Sequence, residues 1–275
     1  MNSIKKMMLS GALGCLISGM AYADGSSPQP VKPYWQDIQV VAVNKEKPRS
    51  SFMSYADRET ALTSRFEKSP YYSLLNGTWK FFFVDSYKDL PQNITDPSVN
   101  TSSWDDITVP GNWEVQGHGV AIYTNHGYEF KPRNPQPPLL PEANPVGVYR
   151  RDIEIPANWD NRDIYLHIGG AKSGLYVYLN GKEVGYSEDS KNPAEFLINK
   201  YLQPGKNVLT LKIFRWSTGS YLECQDFWRM SGIERDVFLW SQPKASIQDF
   251  RVVSTLDDTY TNGIFKLAVD LKNHT

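Results

Sequence analysis

One stretch of the chain gathers aromatic rings, carboxylates, amides and guanidinium groups more densely than its surroundings. It is Arg-Trp-Ser-Thr-Gly-Ser-Tyr-Leu-Glu-Cys-Gln-Asp-Phe-Trp-Arg-Met-Ser-Gly-Ile, from Arg215 to Ile233. Sugars are bound by apolar ring faces stacking on aromatic side chains while their hydroxyls exchange hydrogen bonds with carboxylates, amides and guanidinium groups. Trp216, Tyr221, Phe227 and Trp228 supply the first half of that chemistry, and Glu223, Gln225, Asp226 and Arg229 the second. The same residues also admit a plainer role, with Trp216 and Phe227 closing one end of a sandwich and Arg229 paired with Glu223 or Asp236. Other chemistries find less support. His118, His126, His167 and His274 show no i,i+4 pair and no neighbouring cysteine ladder, so zinc ligation has little basis. Neither a Gly-x-Ser-x-Gly elbow nor a Gly-x-x-x-x-Gly-Lys phosphate loop occurs.

The elements that must position this stretch are strands. With 18 Pro, 19 Gly and 16 Tyr the composition favours turns and strands over helices. Period-two alternation predicts strands at Thr78 to Val84, Tyr149 to Ile155, Asp163 to Ile168, Val208 to Phe214 and Arg235 to Trp240. Leu175 to Leu179 and Glu183 to Tyr186 flank Asn180-Gly181, the strongest short hairpin signal in the chain. Helical patterning is confined to Asp57 to Phe66 and Pro193 to Tyr201. Two sheets packed face to face bury such strands economically, which predicts an all-β sandwich over about Leu74 to Ser241, with a closed barrel as the alternative. Before it, residues 24 to 73 read as a Pro/Ser-rich lead and an irregular arm lying over a surface. Between Asn125 and Val146 runs a proline-rich stretch without strand pattern, either a functional loop or a stiff surface excursion. After Pro243, Ser246 to Ser254 and Gly263 to Leu271 read as the opening hairpin of a second β-domain.

Met1 to Ala23 has the layout of a cleaved export signal: Lys5 and Lys6, an apolar run from Met7 to Met20, then Ala21-Tyr22-Ala23. This predicts a periplasmic or extracellular protein; a lipoprotein attached through Cys15 is the lesser alternative. Removing the signal leaves Cys224 as the single cysteine, so no internal disulfide is expected, and its neighbours do not read as those of a nucleophile. The 29 basic and 30 acidic side chains nearly cancel, giving a net charge of −1 and no overall field to hold nucleic acid or an anionic membrane.

The string from Arg215 to Val237 resembles the amino-terminal sugar-binding domain of the large β-galactosidases of glycoside hydrolase family 2. Further strings agree and follow the family's order: Leu75-Asn76-Gly77-Thr78-Trp79, Val109-Pro110-Gly111-Asn112-Trp113, Ile122-Tyr123-Thr124-Asn125, Asn144-Pro145-Val146-Gly147-Val148-Tyr149 and Asn180-Gly181-Lys182-Glu183-Val184-Gly185-Tyr186.

The resemblance implies a jelly-roll (galactose-binding-like) β-sandwich over residues 74–242 and, over 243–275, the start of an immunoglobulin-like β-sandwich. A complete sandwich of that second kind needs roughly 100 residues. It further implies a retaining exo-β-galactosidase acting on terminal non-reducing β-D-galactose, whose two catalytic glutamates, roughly 5 Å apart, lie in a (β/α)8 barrel beyond Thr275. No catalytic residue is then expected in this chain, which alone would be inactive. Asn125 matches the family asparagine that hydrogen-bonds the sugar. Asp226 matches the aspartate that contacts a galactose hydroxyl and helps ligate sodium, the remaining ligands and the family's magnesium belonging to the barrel. His126 would stand at the pocket rim, and the arm from Trp35 to Phe66 implies a tendency to form homo-oligomers. A free-standing, non-catalytic carbohydrate-binding module is the alternative reading.

Overall fold

A computed structural model describes residues 32–130 and 134–275. The expected signal at Met1 to Ala23, and Cys15 within it, lie outside the described residues. Along the described chain run β1 (Ala42–Val43), β2 (Tyr72–Leu74), β3 (Gly77–Val84), β4 (Asp105–Val109), β5 (Gly111–Asn112), β6 (Ile122–Thr124), β7 (Val146–Glu154), β8 (Arg162–Ile168), β9 (Ala171–Lys172), β10 (Gly174–Leu179), β11 (Lys182–Ser187), β12 (Ala194–Leu197), β13 (Lys206–Phe214), β14 (Phe227–Arg229), β15 (Gly232–Ile233), β16 (Val237–Pro243), β17 (Ala245–Leu256) and β18 (Gly263–Asn273).

Alternation explains how these strands assemble. In β3, Trp79 and Phe81 point one way and Lys80 and Phe82 the other; in β7, Tyr149 and Ile153 share the first direction. Strands β1-β11-β10-β13-β7-β3-β4 form one sheet and β12-β8-β16-β2 a second. Phe81, Tyr149, Val177, Leu211 and Ile213 from the first sheet pack with Leu166, Ile168 and Leu239 from the second in one core. The fold is therefore a β-sandwich, as the alternation implies, and two separate sheets replace the closed barrel.

Strand β10 is buried at every position, not at alternate ones. The cause is a second layer on its outer face, where Trp35, Ile94 and Trp104 cover Tyr176, Tyr178 and Phe214. Trp35 stacks on Phe214 with ring centroids 5.0 Å apart. Farther along the arm, Met53 is buried on the outer face of the second sheet against Tyr165, Phe238 and Trp240. The arm thus lies over the sandwich, yet contributes buried residues to two small cores.

Local turns follow residue chemistry. Asn180 and Gly181 both take positive φ (53° and 78°) in the β10–β11 hairpin, which a primed two-residue turn requires. A Cβ on Gly147 would sit 2.6 Å from the Trp113 ring, so only glycine lets β7 pass that indole. Of the two helical expectations, one appears as α1 (Arg58–Leu62), capped by Asp57 accepting from the Thr60 amide at 2.7 Å. The other is corrected: Ala194–Leu197 is strand β12, paired with β8, and only Asn199–Tyr201 forms a 3-10 turn. Burial of Ala194 and Phe196 against the core overrides the helix-forming run Ala-Glu-Phe-Leu. Among the described residues, β17 and β18 pair only with each other.

Candidate functional site

Strands β6 and β14 form a short antiparallel ribbon with Trp228 opposite Tyr123 and Phe227 opposite Thr124. Asn125 and Asp226 each lie one position beyond that ladder, at a bend, and the Phe227 amide donates to the Gln225 carbonyl at 3.0 Å across Asp226. Side chains alternate faces along a strand and directly opposed residues share one. Tyr123 and Trp228 therefore share a face, Asp226 is tied to it through Tyr123, and these three residues and the neighbouring Asn125 are all exposed. Ile122, Thr124, Phe227 and Arg229 take the other face, where Arg229 is buried.

The exposed face carries both halves of sugar chemistry. The Tyr123 hydroxyl donates to Asp226 Oδ1 at 2.9 Å, and the carboxylate beside it raises the Tyr123 pKa through that bond and through its charge. Among the described residues no partner is recorded for Asp226 Oδ2. Asn125 Oδ1 lies 2.7 Å from His126 Nδ1. With the proton on that nitrogen, the Asn125 oxygen is engaged, and among the described residues its NH2 group meets no acceptor. Thr124 Oγ1 donates to the His126 carbonyl at 2.6 Å and pins this turn. The Tyr123 and Trp228 rings lie 5.5 Å apart, 56% and 54% exposed. An amide donor, a carboxylate acceptor and two open aromatic rings suit a hydroxylated ring with one apolar side.

Beneath the ribbon lies a buried ionic layer that sequence reading missed in part. Arg229 pairs neither with Asp236 nor with the Glu223 carboxylate. Asp236 Oδ1 instead accepts from Asn76 at 2.8 Å, and the Glu223 carboxylate takes the Ser190 amide at 2.8 Å and hydroxyl at 2.6 Å. The guanidinium of Arg229 faces Glu129, Nε to Oε2 at 3.8 Å. Glu129 Oε1 also accepts from Trp216 Nε1 at 3.1 Å. Lys172, 3% exposed, lies near Glu129; burial lowers its pKa and the Glu129 charge opposes that shift. Nothing in the spacing of Glu129 and Arg229 signals that they meet, because the contact depends on how the long loop folds back.

That loop is stitched to the aromatic segment. Tyr128 and Phe130 contact Tyr221 at 4.8 and 5.2 Å between centroids, and Phe130 contacts Trp216 at 5.5 Å. Fully buried Asn144 donates to the Trp216 carbonyl at 2.8 Å and accepts from the Trp216 amide at 3.1 Å. Trp216, 8% exposed, is thus a packing residue, whereas Trp228 is open. Phe227 is half-buried, with Lys172, Lys191 and Arg229 over its ring. The Cys224 thiol donates to the Ser220 carbonyl at 3.0 Å and burial raises its pKa, the setting of an unreactive thiol.

A family model described as glycosyl hydrolases family 2, sugar binding domain, matches residues 72–243. These limits fall at the first residue of β2 and the last of β16, which are neighbours in the second sheet. A curated beta-galactosidase of Priestia megaterium is 40% identical over 245 residues, covering 88% of this chain and 24% of that protein. A beta-galactosidase of Psychromonas ingrahamii is 37% identical over 241 residues, with 88% and 23% covered. The chain therefore spans about a quarter of the length of these relatives. Among solved structures, an uncultured Clostridium sp. beta-glucuronidase gives a TM-score of 0.55 at 23% identity, over 73% of this chain and 33% of that one. A Bifidobacterium dentium beta-glucuronidase gives 0.54 at 17% identity, over 74% and 36%. Likeness at that identity speaks to the fold alone. The match over residues 72–243, with the sandwich it encloses, places this chain in glycosyl hydrolases family 2, and the part of that family it carries is the sugar binding domain.

Proposed function

We propose that the complete protein is a retaining β-galactosidase and that this chain supplies one wall of its galactose pocket. The carrying observation is that Asn125 and Asp226, both exposed, stand at the same end of the β6–β14 ladder, with Asp226 bonded to Tyr123 beside the Trp228 ring. In this reading the Asn125 amide donates to one sugar hydroxyl and Asp226 accepts from another, orienting a terminal galactose toward glutamates carried elsewhere in the protein. The beta-galactosidase relatives support the choice of sugar.

A sodium ion fits Asp226 as one oxygen ligand, since a hard cation takes carboxylate oxygens and Oδ2 has no described partner. No cluster of three or more His, Cys, Asp or Glu able to hold a metal occurs among the described residues, so the other ligands would come from the rest of the protein, as would those of magnesium. When bound, the ion would add positive charge beside the hydroxyl that Asp226 accepts from. Export, homo-oligomer formation and completion of the β17–β18 hairpin into an immunoglobulin-like sandwich belong to the same reading.

The test is Asp226→Ala in the complete protein. Losing a hydrogen bond to a charged group should raise KM for an aryl β-galactoside roughly ten- to hundredfold, with a weaker response to sodium. An unchanged KM and sodium response would count against the reading. The purified 275-residue chain should show no turnover; turnover free of host enzyme would mean that its own carboxylates do the chemistry. The open aromatic pair also suits binding without hydrolysis, and a complete protein that retains galactosides but never cleaves them would favour a binding module.

A further inference from the structure

Arg229 is 1% exposed, yet neither hydrogen bond recorded for its side chain goes to a carboxylate. Nη1 donates to the Glu223 carbonyl at 3.2 Å and Nη2 to the Thr124 carbonyl at 3.3 Å. Its nearest anion, Glu129, is 3.8 Å from Nε, and Nε has no hydrogen-bond partner among the described residues. Removing a guanidinium from water is costly unless it is paired and hydrogen-bonded, so the position of these two carbonyls is informative. Thr124 immediately precedes Asn125, and Glu223 lies three residues before Asp226.

The ribbon itself leaves these two residues unsecured. Its ladder spans three residue pairs and stops at Thr124 and Phe227, one position short of Asn125 and Asp226. A two-stranded ribbon of this length has little stability of its own. We propose that Arg229 is a positioning residue for the sugar site. Its planar fork bridges the backbone on either side and sets the separation of Asn125 and Asp226, while Glu129 supplies the counter-charge and joins the bridge to Trp216. Arg215 reinforces the frame, donating to the Arg229 carbonyl at 3.1 Å and the Val120 carbonyl at 2.8 Å. A lysine reaches one carbonyl as a point charge and cannot span two in fixed geometry.

This rests on the assignment of Asn125 and Asp226 as sugar contacts, and the test separates the two. In the complete protein, Arg229→Lys and Arg229→Gln should each raise KM for an aryl β-galactoside about tenfold or more, the expected loss of hydrogen bonds from a charged donor, while kcat changes much less. Millimolar guanidinium should lower the raised KM of Arg229→Ala. Adding Arg229→Gln to Asp226→Ala should raise KM by a smaller factor than Arg229→Gln does alone, because only Asn125 is then left to position. Wild-type KM in the Arg229 variants, with a raised KM in Asp226→Ala, overturns the positioning role and leaves the site assignment standing. Wild-type KM in both Asn125→Ala and Asp226→Ala overturns the assignment and this role with it. Equal loss in kcat and KM without guanidinium rescue would mark Arg229 as a packing residue and also overturn the proposal. Should the Arg229 variants fail to fold, Glu129→Gln carries the test, with a raised KM expected and an unchanged KM contrary to it.

Discussion

Glu195 sits on the outer face of the second sheet with donors on both oxygens. Arg49 Nε reaches Oε2 at 2.9 Å; Arg49 Nη2, His167 Nδ1 and Trp240 Nε1 reach Oε1 at 3.0, 2.8 and 3.1 Å. Burial opposes ionisation here, but the His167 hydrogen bond and the charge and hydrogen bonds of Arg49 outweigh it and hold the carboxyl below its usual range. A depressed folded-state pKa stabilises the fold above the unfolded value of about 4.3, and that contribution is lost as pH falls through the folded value. Arg49 belongs to the arm, so the arm's grip should weaken in that acid window. Limited proteolysis is expected to cut the arm increasingly below about pH 4, and Glu195→Ala should be cut as readily at neutral pH. That variant removes one partner of a buried pair and should lose about 3–5 kcal/mol in urea denaturation at about pH 7. Equal protection of the arm at acid and neutral pH would contradict this account. None of these partners is near Glu195 in sequence, which is why the cluster could not be read from the chain, whereas Asn125 and Asp226 stood out through the motifs around them.

At the scale of elements, legibility followed length and period. The β10–β11 hairpin could be read from Asn180-Gly181, and β3, β8 and β13 from their alternation, because each is long enough to show a face. Strands β6 and β14 span three residues each, too few for a period, so their pairing emerges only from the fold. The shared face of Tyr123 and Trp228, and with it the meeting of Tyr123 and Asp226, was invisible for the same reason: it follows from cross-strand register. The isolated apolar residues of the arm suggest a surface strap, but isolation in sequence does not prevent burial. Trp35 is 2% exposed between Phe214 and Tyr87. Trp35→Ala should destabilise the chain by about 3–5 kcal/mol, the usual cost of emptying a buried tryptophan site. The change should appear as a lower urea midpoint; a midpoint within error of wild type would show that the strap contributes no stability there.

At the scale of the whole molecule, the two-stranded unit of β17 and β18 differs from the sandwich. Phe265, Leu267, Val269 and Leu271 alternate along β18 and share a face with Val252, Phe250 and Ile247 across the ladder. Phe265 is 67% and Leu271 79% exposed. An apolar face of this kind, on a lone hairpin, gains stability when covered, and on the proposed reading further strands of an immunoglobulin-like sandwich would cover it in the complete protein. Meanwhile the hairpin leans on the arm and second sheet through Ser50 to Asp249 and Phe250, and Lys272 to Tyr165. Two consequences separate covering from packing. The 275-residue chain should bind a hydrophobic dye. Replacing Phe265 and Leu267 with serine should remove most of that fluorescence while changing stability by no more than about 0.5 kcal/mol per site, as for open surface positions. If that reading holds, the same pair of substitutions should be strongly destabilising in the complete protein, because each buried large-to-small change costs about 2–5 kcal/mol. Similar small effects in both settings would mean that nothing covers this face, and that the hairpin is a surface appendage of the sugar binding domain.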